Sequence, residues 1–355
     1  MPSTTYCNLT KLKHHLNIQP INTGRQFSLV GRSGIVTDDM EALHAIRSMS
    51  GDCINLMSGV EFSFTEYRGQ TQEYEVCLSS LDRITRDHEL FAALCRSTYF
   101  QQALASHPAI TQLQNFTPVL DQRAQPLPIC INLEGIAQHY GLPTEYLDIT
   151  SNFSVASFFA TQHWNTTTQT FEPMRAVSSP GVIYKLHPAF LMSQPVPCDQ
   201  MPYVPVGWQP FPRPEQQRAN AIRLKPGEDF AQTTGVVKYH FQHSRNQSKR
   251  IYEEFEGGDK LMPADDLANF ADSLHTKTAF PQSTLDLAFE RYSKRKQPQD
   301  TAAKRQSLMT QAGITLEEHE SFEAQEWDFS QAVFEAEIER MLSKVRTRMA
   351  FYPPS

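Results

Sequence analysis

Hydrophobic and polar positions alternate most regularly where Val60, Phe62 and Phe64 interleave with Glu61, Ser63 and Thr65. A period of two places one strand face in a core, and this run ends at Tyr67-Arg68-Gly69-Gln70. Over residues 86–105 the period becomes helical, with Leu90, Phe91, Leu94, Cys95 and Leu104 forming an apolar stripe. A helix is predicted at 131–140, with Gly141 as its C-terminal cap and Pro143 preventing its resumption. Tyr146 to Thr150 reads as a short strand, and Asn152 to Trp164 as a helix presenting Val155, Ala156, Phe158, Phe159 and Ala160 to the core. Ser151 or Asn152 suits the cap of that helix, which leaves Asp148 free for another task. Further strands are expected at Gly181–Leu186, Ala221–Leu224 and Val236–Phe241, and residues 38–49 read as a short amphipathic helix with acidic residues at its N-terminus.

The proline-rich stretch 195–214 predicts a long surface loop of the lid or binding type. From about 245 helices dominate: 246–256, 264–275 and nearly all of 283–350, broken at Pro298 and near Gly313. The last, about 328–349, carries Phe329, Val333, Phe334, Ile338, Met341, Leu342 and Val345 at helical spacing, to pack on the main domain or on a second subunit. The pattern divides the chain into an N-terminal segment (1–60), a main domain (61–275) and a helical C-terminal extension (276–355). Strands separated by irregular loops do not make a regular βαβ winding. The expected class is α+β, with a mixed or antiparallel split sheet flanked by helices.

Composition narrows the chemistry. A net charge of −7 offers no global attraction to nucleic acid or anionic membranes, and the basic positions Lys294–Lys296, Lys304 and Arg305 read as a solvated helix face. The six cysteines are scattered without a C-x-x-C pair, so neither a metal site nor a disulfide framework is expected. No segment approaches the roughly 18 apolar residues of a membrane span, and the N-terminus has no signal-like apolar core. A reducing, cytoplasmic compartment is the resulting expectation. Gly31-Arg32-Ser33-Gly34 lacks the Lys-Ser/Thr ending of a phosphate loop and reads as a turn.

Polar residues concentrate between 136 and 151, where Gln138, His139, Tyr140, Asp148, Thr150 and Ser151 surround a Gly-Leu-Pro-Thr turn. Arg68 offers a planar charged fork for phosphate or carboxylate, and Gly69 would let a ligand approach the backbone. A structural ion pair is the competing role for Arg68, and core packing or capping that for His139. Asp148 could orient His139 or accept hydrogen bonds from a ribose. A Ser-His-Asp hydrolase lacks its G-x-S-x-G elbow and zinc chemistry lacks its ligand spacing, whereas paired carboxylates follow no spacing rule.

Two separated blocks carry a resemblance. Tyr67-Arg68-Gly69-Gln70 with Tyr74, Leu78, Ser80, Leu81 and Arg83 resembles the opening of the FRG domain, and Ala137–Thr144 through Leu147-Asp148-x-Thr150 and Ala156-x-x-Phe159-Ala160 resembles its central signature. Residues 61–275 look like this domain, with Met262-Pro263-x-Asp265-x-Leu267-Ala268 similar to its closing segment. The family's Arg-Leu-Leu-Asp-Trp-Thr stands here as Glu145-Tyr-Leu-Asp-Ile-Thr150, and its later Arg-x-x-x-Gln-x-Gly as Arg213-x-x-x-Gln217-x-Ala219.

A more distant similarity is to ADP-ribosyltransferases of the Arg-Ser-Glu type, with Asp148-Ile149-Thr150 at the Ser-Thr-Ser position and Glu215-x-Gln217 at the Glu-x-Glu position. That likeness implies NAD as substrate and a macromolecular acceptor, in a toxin or defence effector. Asp148, Thr150, Glu215 and Gln217 would be catalytic, and Tyr67, Arg68, Gly69, Gln138, His139 and Tyr140 would bind the ligand. Both transferase motifs are altered, so a non-catalytic module binding a nucleotide or protein stands as the alternative. The C-terminal helices would then supply homodimer or partner contacts.

Overall fold

Short runs of β-branched and aromatic residues, split by proline and glycine, build short strands through much of the first two thirds of the chain. A computed structural model describes residues 5–16, 25–29, 32–36, 42–58, 65–118, 126–175, 178–188, 191, 196–197, 200–317 and 326–346. The chain begins with β1 (Thr5–Tyr6), α1 (Leu9–His15), and the hairpins β2 (Arg25–Leu29)–β3 (Arg32–Val36) and β4 (Leu43–Arg47)–β5 (Ile54–Ser58). Next come β6 (Glu66–Gln70), α2 (Asp87–Ala105), α3 (Pro108–Gln114), α4 (Leu133–His139), β7 (Tyr146–Thr150) and α5 (Phe153–Thr161). The hairpin β8 (Gln162–Asn165)–β9 (Thr170–Pro173) leads to β10 (Gly181–Leu186), β11 (Tyr203–Pro205), α6 (Pro212–Gln216), β12 (Ala219–Arg223) and β13 (Val237–Phe241). The remainder is mostly helical: α7 (Arg245–Glu254), α8 (Asp266–Ser273), β14 (Ala279–Phe280), α9 (Gln282–Lys296), α10 (Thr301–Ala312), β15 (Thr315–Leu316), α11 (Gln331–Lys344) and β16 (Val345–Arg346).

Seven strands form one mixed sheet in the order β1-β13-β10-β6-β7-β12-β11. Its pairs are antiparallel except for the parallel edge β1–β13, and the class is α+β. Alternation sorts the faces: on β10, Val182, Tyr184 and Leu186 enter one core cluster with Leu147 and Ile149 of β7, while Ile183 faces the opposite cluster built around α5. The centre of the sheet is split. β6 and β7 are registered at a single pair, Tyr67 with Thr150, whereas β10–β6 and β12–β7 each hold five.

Gly69 explains how α5 crosses this sheet. A Cβ at Gly69 would lie 1.8 Å from the Ala156 carbonyl oxygen, so helix and strand meet backbone to backbone. The close approach expected for a ligand is made instead by α5, although Gly69 also lines the neighbouring cavity.

The helical extension packs on its own chain. Leu285, Ala288 and Tyr292 of α9 share a core cluster with Leu90, Phe91, Leu94 and Cys95 of α2. The fully buried Met341 of α11 sits with Trp208 and the β4–β5 hairpin, and β16 adds a parallel pairing to β4. Cys53 and Cys130 form a disulfide that closes this region, a single cross-link in a chain for which no disulfide framework is expected. Among the described residues no helix is long and apolar enough to cross a membrane.

Several local expectations are corrected. The described part of 38–49 contains strand β4, because Leu43 and Ala45 are buried between β5 and β16. The predicted 152–164 helix ends at Thr161 and turns into the β8–β9 hairpin. The 195–214 stretch contains β11 and the start of α6, and Trp208 within it is 1% exposed, so this part is core rather than lid. The run around Val60 to Phe64 lies outside the described residues.

Candidate functional site

Where β6 and β7 diverge, the ladder bonds that would join them are replaced by a side chain. Arg68 Nη1 donates to the Asp148 carbonyl oxygen at 2.7 Å, spanning the split. The gap opens into a cavity of about 600 Å³, within the usual size of a small-molecule site. Its walls bring together Tyr67, Arg68, Gly69, His139, Asp148, Thr150 and Gln217 from segments far apart in the chain.

The polar wall is held from behind. Gln138 donates from Nε2 to Asp148 Oδ2 at 2.9 Å, while its Oε1 accepts the Thr144 hydroxyl. Gln138 therefore positions the carboxylate from outside the cavity lining. His139 Nδ1 lies 2.9 Å from Gln217 Oε1, and Gln217 Nε2 donates to the Leu261 carbonyl at 3.0 Å. The Thr150 hydroxyl is spent on the Gln217 carbonyl at 2.7 Å. Among the described residues, Arg68 Nε, Asp148 Oδ1 and His139 Nε2 are buried atoms of cavity-lining side chains with no hydrogen-bond partner, as are Gln70 Oε1 and Gln162 Oε1. Orphans of this kind are rare in folded proteins and mark where a ligand or water belongs.

A second cation stands at the rim. Arg83 keeps accessible surface there, and crowding by the protein, then repulsion from Arg68, press its guanidinium below the ordinary value. An anion between the two arginines would relieve that repulsion. Aromatic rings also line the cavity: Trp164 is 41% and Tyr74 48% exposed, and Trp164 meets Phe171 edge-on with centroids 4.8 Å apart. Exposed aromatic rings beside paired arginines suit a ligand with a planar ring at one end and negative charge nearby. Among the described residues no cluster of three or more His, Cys, Asp or Glu side chains could hold a metal ion.

Residues 64–169 match the FRG domain family. The chain carries an FRG domain. The matched segment contains both halves of the cavity wall, from Arg68 on β6 to Asp148 and Thr150 on β7, and extends through Trp164 on the β8–β9 hairpin. It ends well before residue 275, the expected limit, so Gln217 is brought to the FRG cavity from outside the matched segment. No curated protein and no solved structure matches the chain.

Two candidate site residues lie elsewhere. Glu215 is buried against α11, where Arg340 Nη1 donates to its Oε1 at 3.1 Å, Arg340 Nη2 binds Oε2, and Lys344 lies 3.3 Å away. Burial pushes its carboxyl upward, but these cations outweigh that and hold it below the usual range. The reason is local structure: residues two apart share a strand face but diverge on a helix. Glu215 lies on α6 and Gln217 caps it, so they face different ways. Tyr140 packs in the core beneath α2 and α8, its hydroxyl bonded to Asp265 and its ring covered by Arg213 at 4.5 Å.

Sequence reading missed the aromatic rim and undervalued Arg83. Arg83 was visible within the first FRG block. Trp164 was hidden by assigning it to a helix, although an exposed tryptophan beside the polar Thr-Gln-His segment was the available signal.

Proposed function

We propose that the FRG cavity binds an NAD-type dinucleotide and cleaves it at the nicotinamide glycosidic bond. The observation that carries this reading is the meeting of Arg68, Asp148 and His139 at one cavity, with aromatic rings at its rim. Arg68 and Arg83 would hold the diphosphate, and Trp164 and Tyr74 would stack a base. Asp148, the carboxylate on the wall, would stabilise positive charge as the C1′–N bond breaks and its electron pair leaves with nicotinamide. An acceptor hydroxyl, amine or water then bonds to C1′ and loses its proton to solvent. A macromolecular acceptor belongs to the same proposal.

Binding without turnover is the second reading, and one observation favours it. The final Glu of the transferase Glu-x-Glu stands here as Gln217, and Glu215, at the first, is held by Arg340 and Lys344 outside the cavity. Purified protein, Arg68→Ala and Asp148→Ala decide between them through NAD-induced thermal shift and nicotinamide release. Arg68→Ala is expected to weaken NAD binding tenfold or more, and Asp148→Ala to abolish release. Binding without release selects the second reading, and absence of any NAD-induced shift in the wild type rejects both.

A further inference from the structure

We infer that Gln217 is a positioning residue that fixes the tautomer of His139, making the His139–Asp148 wall a double acceptor that selects hydrogen-bond donors on the ligand. A backbone carbonyl can only accept a hydrogen bond. Gln217 Nε2 donates to the Leu261 oxygen at 3.0 Å, so the other end of its amide, Oε1, faces His139 Nδ1 at 2.9 Å. An amide oxygen cannot donate, and therefore Nδ1 carries the imidazole hydrogen. In the neutral ring Nε2 is left as the acceptor.

Nε2 then faces Asp148 Oδ1 at 3.7 Å, and neither atom has a hydrogen-bond partner among the described residues. The His139 side chain is 2% exposed and that of Asp148 40%, and both line the cavity, so a ligand entering there meets the pair. Asp148 cannot swing away freely, because Gln138 holds its other oxygen at 2.9 Å. Two lone pairs fixed at this separation repel a phosphate and call for a group bearing donors, most simply adjacent hydroxyls. The anionic part of a ligand is thus directed to Arg68 and Arg83, and its hydroxyls to His139 and Asp148. This rests on the dinucleotide reading for the identity of the donors as a ribose diol.

Two measurements on the full-length chain test the inference. Long-range proton–nitrogen spectra of the imidazoles, recorded at pH 8, should show His139 protonated at Nδ1 and bare at Nε2. Gln217→Met, which offers Nδ1 no acceptor, should lose that signature. A hydrogen on Nε2 in the free wild type, or an unchanged signature in Gln217→Met, overturns the positioning role. NAD and analogues lacking both hydroxyls on one or the other ribose are then titrated into the wild type. One analogue should bind at least tenfold more weakly. Equal binding of NAD and both analogues overturns the donor selection while leaving the dinucleotide reading intact, whereas no binding of NAD overturns both.

Discussion

Arg340→Met removes the principal partner of a buried carboxylate while keeping most of the side chain's length. The Glu215 side chain is 4% exposed and Arg340 38%, so the charge left behind is the poorly solvated one. Breaking a buried ion pair by deleting one member costs about 3–5 kcal/mol. The solvent exposure of Arg340 and the remaining Lys344 contact at 3.3 Å reduce this to ~2–3 kcal/mol. The sign with pH follows from the depressed carboxyl of Glu215. Its stabilising contribution is present above the unfolded value of 4.5 and disappears as pH falls through the lower folded value. Urea titrations of wild type and variant should therefore differ most near pH 7 and converge as the carboxyl protonates. Glu215→Gln combined with Arg340→Met should recover most of the loss, since no unpaired charge stays buried. A difference independent of pH, or a double variant as unstable as Arg340→Met, would refute the assignment of this cost to Glu215.

Two other perturbations probe the scaffold around the split. Glu66 is buried beside Tyr203 and Asn220, and desolvation raises its carboxyl to about 8. It stays protonated in the folded chain where the unfolded chain has ionised, so stability should fall between pH 4.5 and about 8. At ~1.4 kcal/mol per pH unit that gap corresponds to ~4–5 kcal/mol, and Glu66→Gln should remove most of the slope. A slope unchanged in denaturation curves of Glu66→Gln would show that another group is responsible. Gly69→Ala forces a Cβ against the Ala156 carbonyl and should cost ~3 kcal/mol or more in chemical denaturation. A variant as stable as the wild type would mean that α5 does not rest on Gly69.

Local signals were strong where one principle governed the segment. Residues 146–150 and 181–186 were legible as strands to the residue, because short apolar runs bounded by turns leave few alternatives. Helix α2 was equally clear from its stripe. Residues 43–47 read as helix yet form a strand, since pairing with β5 and β16 overrides a weak local preference. The cavity was half legible: the FRG blocks contain Arg68, His139 and Asp148, and all three meet at its wall. Glu215 stands outside the cavity because α6 turns it toward a helix more than 100 residues downstream, a placement that its Glu-x-Gln spacing does not encode. The Arg340–Glu215 and Cys53–Cys130 pairs join distant segments, and no periodicity encodes such contacts.

A crystal structure of the protein with ADP-ribose tests most directly whether the split between β6 and β7 is a nucleotide site. The diphosphate is predicted to lie between Arg68 and Arg83, with a ribose diol within hydrogen-bond reach of Asp148 Oδ1 and His139 Nε2. Ligand density elsewhere, or an empty cavity at saturating ADP-ribose, would contradict it.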